Sequence, residues 1–392
     1  MPLLDQLLAR RSARPLLAAP GADAGGSPGS PGLVSSHESA AVAGAHDNSG
    51  MSGTSSDGGG HGRSLCVLMV TSEWPTPEFP HTSPFLVQQI RFLRRAGVEV
   101  DVFFFRGARK PLNYFRAWRS LREHLARKQY DLVHAQYGQA GLIVWPVRLP
   151  VVVTFHGCDI LGDQDPEGRI TPGGRLLQQL CRLEALRADG VIIVSNEMRR
   201  YLPSSVRPLL LPTGVDFESL PTDSPENARR KFGLPETDRL VLFVGDPATV
   251  RKRYDLAERS VGILNERLPA RLVLGWNKTH QEILTLMRAC DVLVMTSGQE
   301  GSPTTVKEAL ATGLPVVSVP VGDVAERIGG VPGCELCTDD RPETIAAALE
   351  RVLRHRQRLA EGDDLADLDE RLLAERLIKL YRSVLKPAET HT

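Results

Sequence analysis

The sequence predicts an α/β protein made of two successive parallel-sheet domains. Three observations lead there. From residue 65, short apolar runs alternate with segments of helical period, as parallel strands covered on both faces by crossover helices require. At Pro212-Thr213-Gly214-Val215-Asp216 the alternation stops, passes through a polar stretch and restarts at residue 240. The chain has 392 residues, 42% hydrophobic and 24% charged, enough for two domains of ordinary size.

In the first domain, placed at 63–212, strands are expected at 65–70, 98–105, 131–135, 151–155, 190–194 and 207–211. Helices are expected between them at 85–96, 112–128 and 175–188. The second domain, 213–367, reads as strands at 240–244, 271–274, 291–296 and 315–319. Its helices are expected at 254–267, 281–289, 304–312 and 345–354. A last helix near 368–385, within the segment 368–392, is expected to cross back to the first domain. Residues 1–62 form a tail. Positions 21–62 are Gly, Ser, Ala and Pro with almost no large apolar side chains, so disorder is expected. Residues 3–17 fit a short amphipathic helix with leucines and three arginines, read as a solvated tail ahead of a membrane-surface role.

Lys+Arg and Asp+Glu are both 47, so the net charge is zero, which argues against nucleic acid as the main partner. No apolar run approaches the length that spans a bilayer. Arginines interrupt the first twenty residues where a signal peptide needs an apolar core. Six cysteines without a disulfide-dense pattern suit a reducing cytoplasm. Cys334 and Cys337 fall on a short strand that points them to opposite faces, and no second pair completes a zinc site.

The most informative stretch is Glu300-Gly301-Ser302-Pro303-Thr304-Thr305-Val306-Lys307-Glu308, between an apolar strand and a helix. One carboxylate lies at the carboxyl end of a strand, where open α/β sheets bind ligands, and the other lies inside the following helix. Gly301 and Pro303 allow close backbone approach, and the amides at the helix start favour an anion. Two acceptor-only carboxylates flanking an anion site suit hydroxyls on both sides of a diphosphate. That is the shape of a nucleotide sugar.

These residues, with Ala311-Thr312-Gly313-Leu314-Pro315 and Val321-Gly322-Asp323-Val324-Ala325-Glu326-Arg327-Ile328, resemble the retaining glycosyltransferases of family 4, particularly the polysaccharide and teichuronic-acid branch. The resemblance covers roughly residues 64–385. It implies the GT-B fold, two Rossmann-like domains facing a cleft, and a cytoplasmic enzyme, with peripheral contact at the inner membrane face a further possibility. It implies a nucleotide-diphosphate sugar as donor, a glycan or lipid-linked acceptor, no metal and no other cofactor. Glu300 would meet sugar hydroxyls and Glu308 the ribose. Lys252 and Arg251 would hold the diphosphate, although Asp246 stands where the family has arginine. Gly301, Ser302, Pro303, Thr304 and Thr305 would present backbone to the donor. His156, in His156-Gly157-Cys158-Asp159 after the strand 151–155, would lie beside the transferred sugar. Thr82, Ser83 and Asp159 would face the acceptor; the usual glycine of the acceptor loop is lacking. The family's second strand–helix unit before Glu300 is also missing, which leaves the base open.

Asp163-Gln164-Asp165 and Asp367-Leu368-Asp369 match a metal motif of another glycosyltransferase fold, but neither flanks a nucleotide site. A non-catalytic partner subunit of the same fold is the alternative. A dinucleotide-dependent oxidoreductase would need a G-x-G-x-x-G turn that neither domain supplies.

Overall fold

The structure, a computed structural model, describes residues 32–34 and 64–386 except 109, 166, 361 and 362. The first sheet contains β1 (Gly32–Val34), β2 (Cys66–Thr71), β3 (Glu99–Phe104), β4 (Leu132–Gln136), β5 (Val151–Phe155), β6 (Gly190–Ile193) and β7 (Leu209–Leu210). Their order across the sheet is β1-β3-β2-β4-β5-β6-β7, parallel throughout except for β1, which runs antiparallel on β3. The second sheet is wholly parallel, in the order β12-β11-β10-β8-β9. Its strands are β8 (Leu240–Val244), β9 (Arg271–Gly275), β10 (Val292–Met295), β11 (Val316–Ser318) and β12 (Glu335–Leu336).

Alternation along the buried strands divides each core in two. Leu68 and Val70 point into one cluster of the first sheet, Val67 and Met69 into the other. Helices α1 (Pro84–Arg95), α2 (Pro111–Arg127), α3 (Gly138–Val144), α4 (Cys158–Leu161) and α5 (Pro172–Arg187) belong to this lobe. The second lobe carries α6 (Pro225–Lys231), α7 (Tyr254–Asn265), α8 (His280–Ala289), α9 (Thr304–Ala311), α10 (Val324–Ile328) and α11 (Pro342–His355). Between α7 and β10 lie one strand and one helix, so β9 ends the sheet. Cys334 and Cys337 pack in the clusters on opposite faces of this sheet.

The last helix, α12 (Glu370–Leu385), buries Leu373, Leu377 and Tyr381 against the first sheet. Its anchor is polar as well as apolar: His134 on β4 has Nδ1 2.6 Å from Tyr381 Oη and Nε2 2.7 Å from Thr154 Oγ1. A wholly buried imidazole needs both partners, because an orphaned polar group there would cost about 1–3 kcal/mol.

Most of the expected tail, including the amphipathic stretch 3–17, lies outside the described residues. Within it Gly32–Val34 alone is described, as a short strand on the edge of the first sheet. The outer edge of β3 presents unpaired amides and carbonyls, and Gly-Leu-Val pairs with them. The sequence also gave no sign of α3, α4, α6 or α10, all short.

Candidate active site

Both sheets have a switch in strand order, and the crevice at such a switch is where open α/β sheets take ligands. In the second sheet it lies between the carboxyl ends of β8 and β10. The loop after β8 contributes Arg251 and Lys252, and the loop after β10 contributes Glu300. They meet. Lys252 Nζ is 2.7 Å from Glu300 Oε1, and Arg251 Nη1 donates to the same oxygen at 3.1 Å. Burial alone would raise the Glu300 carboxyl, but the Lys252 and Arg251 charges outweigh it and hold the group below the ordinary carboxylate range. Arg253 continues the loop in a left-handed conformation (φ 51°) and donates to the Thr296 carbonyl at 2.6 Å, tying the two loops together.

Beyond Glu300 the backbone of one lobe touches that of the other. A Cβ on Gly301 would stand 2.0 Å from the His156 carbonyl oxygen, and one on Gly157 would stand 3.1 Å from the Gly301 nitrogen. Only glycine fits at Gly301, and this contact brings His156 beside the Glu300 loop. Gln299 adds an interlobe bond to the Gly162 carbonyl at 2.8 Å.

The His156 ring lies 4.4 Å from that of Tyr137 and 5.1 Å from that of Phe85. Burial pushes its pKa down to about 3, so the imidazole is neutral at physiological pH. Nε2 lies 2.7 Å from the side-chain Oε1 of Gln136, and Gln136 Nε2 donates onward to Gln89 Oε1 at 2.9 Å. Nε2 therefore carries the proton, and Nδ1 is left as an acceptor.

Asp159 corrects an expectation. It was placed on the acceptor side, but it is fully buried and both oxygens accept from backbone amides. Gly138 and His156 donate to Oδ2, each at 3.1 Å, and Gly157 and Ile160 donate to Oδ1 at 2.8 and 2.9 Å. The carboxylate shapes the His156 turn and has no lone pair directed at a ligand. Ser83 is buried at the start of α1 with φ 47°, and Thr82 beside it is half-buried.

Glu308 lies on α9, and its Oε1 is 2.7 Å from His280 Nε2 at the start of α8. Burial opposes the imidazolium, but the hydrogen bond and charge of Glu308 prevail and raise the His280 pKa. Pro303 occupies the cap position of α9, so Thr304 and Thr305 open its first turn, where amides lack helical partners. Ser302 is held from behind: its hydroxyl donates to Asp323 Oδ2 at 2.7 Å and accepts from the buried Lys307 ammonium. Lys307 also donates to the carbonyl and hydroxyl of Thr213, each at 3.0 Å. Thr213 lies in the 212–216 junction, so Lys307 fastens the Glu300 loop to the crossing between lobes.

Sequence reasoning missed His280, Lys307, Gln136, Tyr137 and Glu73. Only Glu73 and Tyr137 had a usable signal, since Tyr137 directly follows β4 and Glu73 lies two residues past β2, at the switch of the first sheet. Asp165 accepts from Arg169 on a surface loop, while Asp367 pairs with Arg327 and Asp369 caps α12. Among the described residues no group of three or more His, Cys, Asp or Glu could hold a metal ion. None of the described helices is long and apolar enough to cross a membrane.

Residues 66–219 match the family model for Glycosyltransferase Family 4, and residues 236–355 match that for Glycosyl transferases group 1. Both parts of the chain thus match glycosyltransferase family models. It is 27% identical over 314 residues to the D-inositol 3-phosphate glycosyltransferase of Nocardiopsis dassonvillei, covering 66% of this chain and 71% of that protein. With the putative teichuronic acid biosynthesis glycosyltransferase TuaC of Bacillus subtilis it shares 24% identity over 262 residues, 60% of this chain and 64% of TuaC. Among solved structures, sucrose-phosphate synthase from Thermosynechococcus elongatus superposes with a TM-score of 0.63 at 16% identity, covering 82% of this chain and 99% of that one. HepE from Anabaena, solved with UDP-glucose, gives 0.55 at 15% identity over 81% of this chain and 98% of its own. At these identities the likeness is one of fold, and the fold is GT-B, as the family resemblance implied.

Proposed function

We propose that this glycosyltransferase moves a sugar, with retention of anomeric configuration, from a nucleotide-diphosphate sugar to a glycan or lipid-linked acceptor in polysaccharide or cell-envelope synthesis. The observation that carries the reading is the meeting of Lys252 and Arg251 on Glu300 at the switch of the second sheet. In the free protein the carboxylate pairs with both cations. When donor enters, its diphosphate takes over Lys252 and Arg251, and Glu300 turns its lone pairs to sugar hydroxyls. Both cations then stand where negative charge develops as the sugar–phosphate bond breaks, the kind of pre-organised group that lowers a barrier most.

The remaining roles follow. Glu308 accepts from the ribose with His280 at its side, and Ser302 to Thr305 present the loop and helix start to the phosphates. Neutral His156 offers Nδ1 to a hydroxyl of the transferred sugar. The departing phosphate oxygen takes the proton of the acceptor hydroxyl as that oxygen attacks the same face of the sugar. Lys252 and Arg251 fill the charge role of a metal, so transfer is expected to persist in a chelator. A cytoplasmic setting with peripheral contact at the inner membrane face suits such an acceptor; Leu112 and Phe115 on α2 and Leu176, Leu183 and Leu186 on α5 are exposed apolar side chains on the first lobe.

A thermal-shift series with UDP, GDP and ADP and their sugars tests donor binding, because a ligand of the folded state must raise its stability. Transfer of labelled sugar, with the product anomer read by NMR, tests the rest. Stabilisation by none of the nucleotides would sink the proposal, and an inverted product would sink retention alone.

A further inference from the structure

The switch of the first sheet carries a second constellation, between the carboxyl ends of β2 and β4. Two residues past β2 stands Glu73. Its backbone is fixed by the buried Thr71 hydroxyl, which accepts from the Glu73 amide at 3.1 Å and donates to the Glu73 carbonyl at 2.9 Å. Its side chain is exposed, yet one oxygen is fully engaged: Oε2 accepts from Ser83 Oγ and from Tyr137 Oη, both at 2.9 Å.

Both donors sit on unusual backbone. Ser83 has φ 47° and Tyr137 φ 72°, and positive φ in a non-glycine residue costs free energy and tends to persist at functional sites. Two such residues, one from the start of α1 and one from the end of β4, converge on a single carboxylate oxygen. A surface glutamate needs no such cradle for stability. The arrangement aims the other oxygen, Oε1. It lies on the wall that holds His156, through the Tyr137 ring, and its charge reaches Arg251 on the opposite lobe.

The chemistry of that wall is one-sided. Tyr137 is a neutral phenol, burial having raised its pKa well above the usual value, and His156 is neutral. Gln89 and Gln136 are neutral amides already bonded to each other. Arg251, across the cleft, is engaged by Glu300. The Glu73 wall thus offers hydrogen-bond acceptors and a negative charge.

We propose that Glu73 receives the acceptor substrate, Oε1 accepting a hydrogen bond from a hydroxyl of a neutral polyol terminus, a sugar or cyclitol bearing no phosphate or carboxylate at that position. This rests on reading the cleft as a transferase site and adds what the acceptor must be. An anionic substituent would be placed against the Glu73 carboxylate. The unsubstituted end of a glycan meets the requirement, whether or not a lipid diphosphate lies at its other end. Ser83 and Tyr137 act as positioning residues.

The test uses the full chain with UDP-glucose, GDP-mannose and ADP-glucose as labelled donors. The acceptors are methyl α-glucoside, methyl α-mannoside and myo-inositol, each beside a phosphate ester of the same polyol. The wild type is expected to transfer to at least one neutral acceptor and to disfavour its phosphate ester. Glu73→Gln should raise the acceptor KM by about tenfold or more, the scale of a hydrogen bond to a charged group, with a smaller change in kcat. Glu73→Lys should turn the preference toward the phosphate ester. Calorimetric affinity for the free nucleoside diphosphate should stay within about twofold in both variants, since Glu73 makes no donor contact on this account. An unchanged acceptor KM, a wild-type preference for phosphate esters, or nucleotide binding without transfer to any neutral polyol would each overturn the proposal. A wild type that binds none of the nucleotides would overturn the transferase reading, and this inference with it.

Discussion

Lys252 and Glu300 form an ion pair at 2.7 Å between loops that follow two neighbouring strands, β8 and β10, of the second sheet. Arg251 joins from the more exposed side: its side chain is 48% exposed against 17% for Lys252. The buried cation should matter more, because a charge shielded from water acts through a lower dielectric. Lys252→Ala is therefore expected to lower turnover by roughly 100-fold or more, and Arg251→Ala to do less. Steady-state kinetics on both variants checks the order. Equal, near-wild-type turnover in both would return the Arg-Lys-Arg run to a solvated surface.

Gly301 is the point where the lobes touch. Alanine there would set its Cβ 2.0 Å from a backbone oxygen of His156, which cannot swing aside as a side chain can. Gly301→Ala should separate the two loops by roughly an ångström and cost on the order of 100-fold in kcat, the scale of such a misplacement. Binding of free nucleoside diphosphate should fall far less. A variant with wild-type kcat would show that the contact is dispensable for the reaction.

Asp159→Ala removes the acceptor of four backbone amides at once. Each buried amide left without a partner costs about 1–3 kcal/mol, partly recovered by relaxation and water, so a loss of roughly 3 kcal/mol or more is expected. Denaturant unfolding of the variant measures it. A loss below about 1 kcal/mol would mean the turn holds without its carboxylate.

His280 gives a pH signature. Its pKa is raised by Glu308 above the ordinary value of 6.5. A raised pKa means that the folded state binds the proton more tightly, so the stabilisation is fully present below pH 6.5 and is lost as pH rises through the folded pKa. The difference in Tm between wild type and His280→Gln should be largest in acid and shrink as pH rises above 6.5. Thermal melts in buffers from acid to mildly alkaline pH check the trend, and a difference that grows with pH would refute the pairing.

Much of this architecture is written locally. The strands 151–155 and 240–244 are found at the residues read from the sequence, because each is a short run of apolar residues, broken only by Thr154, with both faces turned inward. The pairing of Lys252 with Glu300 follows from where strands end, a rule that sequence can apply. Helix α6 was invisible for the opposite reason. Pro-Glu-Asn-Ala-Arg-Arg-Lys has no apolar period, and the helix stands on the Ser224 cap and on Arg229, buried and bound to Asp291 at 2.9 Å. Helix α3 begins on Gly138 and contains Gly141, residues that ordinarily argue against a helix. The Glu308–His280 contact spans 28 positions through the packing of α8 on α9, which no local pattern encodes. Asp159 was misread because a carboxylate after a histidine–glycine turn looks the same in sequence whether it faces a ligand or the backbone.

The central claim is that Glu300 and Glu308 hold different halves of one nucleotide sugar. Calorimetry of the nucleoside diphosphate and of its intact sugar, on Glu300→Gln and Glu308→Gln, tests it most directly. Glu300→Gln frees Lys252 and Arg251 from their partner, so the free nucleotide should bind as well as before or better, while the nucleotide sugar loses roughly 10- to 150-fold. Glu308→Gln should weaken both ligands alike and by a similar factor. If the two variants showed the same pattern across the two ligands, or neither weakened either ligand, the assignment of these carboxylates would be wrong.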